Sequence, residues 1–140
     1  MRGLSHGEAQ DLLDTFKRGW ETRDPEVVVG LFREDAEYRA HPFSEPLVGS
    51  IAIRAHWNEI AATQGNIDFE PERIWVSGPA VLASWHAAYT RRATAERYRL
   101  RGFMALELDE DGAVWRFRGW PLEQLVGVDS SFRAEGEAGV

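Results

Sequence analysis

Apolar residues in the first part of the chain recur with a helical period. Over residues 8–23, Leu12, Leu13, Phe16, Gly19 and Trp20 share one face while Asp11, Asp14, Lys17 and Arg18 lie elsewhere, which predicts an amphipathic helix. Asp24-Pro25 then restarts the chain, because Asp suits an N-cap and Pro the first helical position; a short helix is predicted through Val27, Val28, Leu31 and Phe32. A short strand follows over residues 36–40, ended by His41-Pro42 and a loop reaching Gly49. Ser50 is placed to cap a third helix whose shared face is Ile53, Trp57 and Ile60, and Gly65-Asn66 is the stop signal after it.

From Ile67 onward the period becomes two. Strands are predicted over residues 67–76, 80–92, 96–108 and 114–120, separated by Ser77-Gly78-Pro79, Ala93-Thr94-Ala95 and Asp109-Glu110-Asp111-Gly112. Helices first and antiparallel strands afterwards indicate an α+β fold, not a doubly wound parallel sheet. Residues 1–126 read as one domain. Residues 127–140, rich in Gly, Ser and Glu, read as a flexible tail. On the second long strand the apolar set is Val81, Ala83, Trp85, Ala87 and Tyr89; on the last it is Trp115, Phe117 and Gly119. Period two turns each set to one face.

Composition narrows the function more than the fold. A chain of 140 residues can bury one core and hardly two. The net charge of −7 argues against a dedicated nucleic-acid binder, whose phosphate contacts need clustered positive charge. The absence of Cys removes disulfides, thiolate metal sites and cysteine nucleophiles, and it fits a cytoplasmic protein. No apolar signal segment follows Met1. The longest uncharged stretch, residues 74–90, contains Pro79 and His86 and reads as two strands and a turn, so no membrane span is expected. Six Trp in so short a chain supply large apolar walls, for a core or for a pocket.

Certain segments carry a family likeness. Leu31-Phe32-Arg33-Glu34-Asp35-Ala36, the Pro-containing loop to Gly49 and Ile53-Arg54-Ala55-His56-Trp57 resemble the SnoaL-like branch of the nuclear-transport-factor-2-like superfamily. So do Tyr89-Thr90-Arg91-Arg92, Arg99-Leu100-Arg101-Gly102 and Phe117-Arg118-Gly119-Trp120. The resemblance covers residues 8–125 and implies a cone-shaped fold, with three N-terminal helices packed on a strongly curved, mainly antiparallel sheet around an apolar pocket. That superfamily holds isomerases, polyketide cyclases, dehydratases, epoxide hydrolases and non-catalytic binders, so the likeness specifies fold and not reaction. The ketosteroid-isomerase type uses a Tyr, a protonated Asp and a basic Asp. The matching positions here are Phe16, Met104 and Ala40, none of which can play those parts, and that chemistry is disfavoured. The likeness also points Met104 inward, and with it Tyr98, Leu100, Gly102, Leu106 and Leu108.

The candidate ligand-binding wall is therefore Phe16, Trp20, Tyr38, Phe43, Trp57, Trp85, Tyr89, Met104 and Phe117, around a small, largely hydrophobic molecule. His41 is the candidate general acid or base, since it follows Ala40 at the pocket mouth and imidazole is the side chain suited to proton transfer at neutral pH. The other reading of His41 is a loop residue bonded to backbone. Tyr38 shares strand parity with Ala40, so it either donates its hydroxyl to a ligand or simply fills the core. His86 should face away from the pocket, His56 should lie at the edge of the packed helix face, and Glu34-Asp35 reads as a solvated helix end. The scattered His residues have no metal-ligand spacing, so neither metal nor cofactor is expected. On the opposite sheet face, Arg97, Arg99, Arg101, Arg116 and Arg118 alternate with the inward sets, beside Phe103 and Trp120. Arg99, Arg101, Phe103, Arg116, Arg118 and Trp120 are expected to form a homodimer surface. An enzyme of acid–base type and a non-catalytic binding or interaction module both remain open.

Overall fold

The computed structural model describes residues 3–132. The first helix, α1 (His6–Glu21), starts at a capping box: Ser5 Oγ accepts from the Glu8 N–H, and the Glu8 carboxylate accepts from the Ser5 N–H. It buries Leu12, Leu13, Phe16 and Trp20. Lys17 fixes it to the sheet by bonding Glu21, the Phe69 carbonyl and Glu70. Gly19 sits where a second helix crosses, and a Cβ there would lie 2.5 Å from a Val28 methyl. That helix, α2 (Pro25–Val29), has Asp24 at its N-cap position without a side-chain bond.

The structure differs from the predicted pattern at Leu31 and Phe32. The short helix ends at Gly30, and Phe32 opens β1 (Phe32–Arg39), four residues earlier than the strand expected from residue 36. Three β-branched Val followed by Gly make a poor helix, and a parallel strand offers the backbone a better partner. The Val114 N–H donates to the Leu31 carbonyl. A two-residue strand, β2 (Leu47–Val48), then pairs with β1. The N-cap of α3 (Ser50–Thr63) is Gly49, at φ 92°, rather than Ser50, which forms the first helical turn. Ile53 and Trp57 are its buried residues. Gly65-Asn66 does not stop this helix. It lies inside β3 (Gln64–Ser77), where Asn66 at φ 48° marks a register irregularity.

The remaining strands are β4 (Ala80–Arg91), β5 (Glu96–Leu108) and β6 (Val114–Val128), and the sheet order is β2-β1-β6-β5-β4-β3. Every pairing is antiparallel except β1 with β6, which is parallel and makes the sheet mixed. β6 runs well past the expected end at Trp120, through Pro121 to Val128. Gly127 and Val128 thus belong to the strand and not to a tail. Beyond it, Asp129 accepts from Thr90 Oγ1 at 2.5 Å, Asn66 Nδ2 at 3.0 Å and Ser131 Oγ at 2.6 Å. Phe132 then stacks on Gly65, where a Cβ would lie 2.8 Å from its ring. Residues 133–140 lie outside the described residues.

The core fills the space between the helices and the concave sheet face. Val81, Ala83, Trp85, Ala87 and Tyr89 on β4 are all buried, as are Met104, Leu106 and Leu108 on β5. Tyr98 and Leu100 pack against that core half-buried. On β6 the inward residues are Val114, Phe117 and Gly119. Trp115 is displaced from the expected set, because a shift between Glu107 and Leu108 leaves it unpaired in a bulge. Arg116 covers its ring at 5.2 Å.

Candidate functional site

Between α1, α3 and the concave sheet lies a cavity of about 280 Å³. Helical spacing puts Phe16 and Trp20 from α1, and His56, Trp57 and Ile60 from α3, into its wall. Strand parity adds Tyr38, Trp85, Tyr89, Leu100, Met104 and Phe117. The rings hold one another at defined angles. Phe16 meets Trp57 edge-on at 5.4 Å, and Tyr38 stacks on Phe117 at 4.4 Å. Trp20 meets Trp57 at 5.9 Å and donates its indole N–H to Gln64 Oε1 at 2.8 Å.

Two glycines make room for this. Trp85 lies flat on Gly102, where a Cβ would come within 2.4 Å of the indole. At Gly119 a Cβ would lie 2.9 Å from the Ala40 carbonyl oxygen, so glycine lets the end of β1 settle over β6. That approach carries Ala40 and His41 to the cavity, and both line it. The loop after β1 is closed by a tight turn. Ser44 N–H donates to the His41 carbonyl at 3.1 Å, and Ser44 Oγ donates to the same carbonyl at 2.9 Å.

Of the candidate wall residues, all but Phe43 line the cavity. Phe43 is fully exposed, at 101%. It occupies the apex of the turn from His41 to Ser44, so its side chain leaves the cavity while His41 stays beside it. Phe16, Ala40 and Met104, the positions where an isomerase would carry its acid and base, all line the cavity with groups that cannot ionise.

His56 proves to be a cavity residue. Its ring lies 5.2 Å from that of Tyr38. Burial pushes its pKa below the ordinary value, and the neighbouring His41 pushes the same way. The signal was in the sequence, since His56 stands three residues after Ile53 and four before Ile60. Burial likewise raises the phenol of Tyr38 above its usual range, with the Trp57 indole opposing the shift weakly. Among the described residues, Trp57 Nε1 and Trp85 Nε1 complete no hydrogen bond. His86 is exposed, with Nδ1 3.8 Å from Glu72.

A second polar group lies elsewhere on the cavity wall, where Glu123 is exposed. Tyr89 donates its hydroxyl to Glu123 Oε1 at 2.5 Å, and both residues line the wall with Gln64 and Pro121. Burial and the adjacent carboxylate raise the Tyr89 phenol well above its ordinary value, so it stays a donor. Glu123 escapes a reading that ends the last strand at Trp120. Its position, in step with Gly119 and Pro121, was the available signal.

Outside the cavity, the arginines of the convex face are tied to neighbours. Arg97 bonds Asp68 and Thr90, each at 3.1 Å, and Arg99 bonds Gln124 at 2.6 Å. Arg101 lies 3.6 Å from Glu72. Arg116 pairs with Glu107, and Arg118 lies over the Trp120 ring at 5.6 Å. Among the described residues there is no group of His, Asp and Glu of the size that holds a metal ion. No helix among them is long and apolar enough to cross a membrane.

Comparison with known proteins agrees with this architecture. The family model of the SnoaL-like domain matches residues 13–117. An LEH-like epoxide hydrolase of M. tuberculosis is similar at 20% identity and a TM-score of 0.69, over 83% of this chain and 84% of that one. SalBIII, an epoxide hydrolase/cyclase-like enzyme with a role in pyran ring formation in polyether salinomycin, is similar at 17% identity and a TM-score of 0.76. The shares covered there are 89% and 98%. A protein with a ketosteroid isomerase-like fold from Catenulispora acidiphila, in complex with trimethylamine, shares 13% identity at a TM-score of 0.71, over 79% and 84%. At such identities the likeness establishes the fold. No curated protein matches the chain.

Proposed function

The chain belongs to the SnoaL-like domain family, and from that premise we propose that its cavity binds a small, largely hydrophobic molecule and moves a proton on it without a cofactor. The observation that carries the reading is the convergence of His41, His56 and Tyr38 on one end of an otherwise aromatic cavity. His41 is the exposed imidazole of the pair and takes or gives the proton. Tyr38, kept protonated by burial, polarises an oxygen of the substrate by donating its hydroxyl. His56, kept neutral, holds the place beside them without adding positive charge. The rings of Trp20, Trp57 and Trp85 position the apolar body and exclude water. Two structural neighbours are epoxide hydrolase or cyclase-like enzymes. Ring opening or ring closure at an oxygen, helped by one acid and one base, therefore suits this set of groups better than enolate formation, which has no acid at Phe16 or Met104.

A panel of small hydrophobic epoxides and hydroxy-epoxides tests the proposal. Turnover of a panel member should fall about 10²- to 10⁴-fold in His41→Ala, the range of one general acid–base group. Unchanged turnover in that variant would remove His41 from the mechanism. The other reading, a non-catalytic carrier or a dimeric interaction module, is supported by a separate observation. On the convex face Phe103 packs between Trp75 and Trp120, at 5.8 and 6.2 Å, and those two Trp are 39% and 38% exposed. We propose a second copy of the chain as the occupant of that aromatic strip, with Arg99, Arg101, Arg116 and Arg118 around it.

A further inference from the structure

The polar groups of the cavity are divided between two ends. His41, His56 and Tyr38 mark one; Gln64, Tyr89 and Glu123 mark the other. Along β6, Gly119 beside Ala40 and Glu123 beside Tyr89 are four residues apart, a distance of about 13 Å in a strand. Along α3 and its exit, His56 and Gln64 are separated by about 12 Å at a helical rise. Trp20 lies next to Gln64 and contacts Trp57 and Trp85, so aromatic rings occupy the distance between the two ends.

The lining at the far end carries charge of one sign. Glu123 is the sole carboxylate of the cavity wall, and neither Lys nor Arg lines it among the described residues. Tyr89 engages Oε1, and no described residue donates to Oε2. Two cations lie nearby, outside the wall. Arg91 lies over the Tyr98 ring at 5.1 Å and acts electrostatically on Glu123 from there, and Arg99 donates to Gln124. Gln64 Oε1 is occupied by Trp20. A carboxylate with an open oxygen beside aromatic rings is the setting in which an ammonium group is attracted twice, by the opposite charge and by the negative faces of the rings.

We propose that the Glu123 end of the cavity takes a positively charged amine, so that the ligand class is a small hydrophobic molecule carrying a protonated or quaternary ammonium. This inference rests on the ligand-binding reading of the cavity given above. Glu123 acts as counter-ion and Tyr89 holds its carboxylate in place. The apolar body lies against the Trp rings, and the ammonium sets the direction in which the ligand enters. The opposite end of the molecule is thereby brought to His41 and Tyr38.

The test uses the whole chain and probes built on one benzyl group: benzyltrimethylammonium, its isosteric neutral carbon analogue neopentylbenzene, and the anion phenylacetate. Binding is read by quenching of the cavity tryptophans. The ammonium probe should bind about tenfold more tightly than the neutral one, the scale of a cation–π contact with an opposite charge beside it. Glu123→Gln should abolish that preference while the neutral probe binds as before. Glu123→Lys should transfer the preference to phenylacetate. Equal binding of ammonium and neutral probes, or a preference that survives both substitutions, would overturn the amine inference and leave the apolar cavity standing. Failure of all the probes to bind would overturn the cavity reading itself and the inference with it.

Discussion

At the scale of single residues, the site depends on which groups stay uncharged. The His56 pKa is depressed by burial, so the unfolded chain takes up a proton more readily than the folded one as pH falls below about 6.5. The sign follows: above that value His56 has no effect on stability, and below it the folded state loses stability progressively. His56→Gln should therefore show a smaller drop in Tm between pH 7.5 and 5.5 than the parent chain, measured by thermal melts at both values. An equal drop in the two proteins would mean that His56 is not held neutral by its surroundings. Tyr38 and the aromatic wall were legible from parity and helical spacing, because side-chain direction follows the backbone period; His41 was legible only from its place after Ala40, where the strand ends and parity no longer decides direction. Phe43 was not legible, since a turn residue follows no period. His56, at the edge of the face of Ile53, Trp57 and Ile60, lines the cavity because that face is wider than the three apolar positions that mark it.

The elements show where pattern reading ends. Helix α1 and the long strands β4 and β5 are strongly periodic and were evident from the sequence. The parallel seam between β1 and β6 was not, because its residues carry the signals of a helix on one side and of a bulge on the other. Nor was the second half of β6, where Pro121 and Gly127 punctuate a strand whose partner, β5, supplies the register. That half matters to function, since it carries Glu123. Packing between elements can be tested at Gly102. An Ala there places its Cβ within 2.4 Å of the Trp85 ring, which has β5 beneath it and the cavity above. Gly102→Ala should cost about 1–3 kcal/mol by urea denaturation and should weaken probe binding as Trp85 tips into the cavity. Stability and binding both unchanged would mean that the ring has free space to move.

For the whole molecule, the fastening of the end of β6 governs stability, and the convex face governs assembly. Asp129 fastens the end of β6 to β3 and β4 by accepting from Asn66, Thr90 and Ser131. These donors hold its carboxyl well below the usual carboxylate range. The contribution of a depressed carboxylate is present above its unfolded pKa and is lost as pH falls through the folded one. Asp129→Asn should thus lower Tm at neutral pH, and the difference from the parent should narrow in strong acid. On the convex face, Trp120→Glu should convert a dimer into a monomer in sedimentation velocity; a parent chain that is already monomeric at all accessible concentrations would dismiss the dimer proposal. The overall α+β cone was legible because helices and strands are segregated along the chain, whereas the occupant of the cone is not written in any periodicity.

Whether the cone holds a ligand is tested most directly by native mass spectrometry of the purified chain with benzyltrimethylammonium and neopentylbenzene, compared with a Leu100→Trp variant. Leu100 lines the cavity half-buried, so an indole at that position should fill the space without disturbing the sheet. The account predicts one non-covalent adduct per chain in the parent protein and none in the variant, whose Tm should match the parent. A parent chain that carries no adduct with either probe, or adducts that persist in the filled variant, would contradict it.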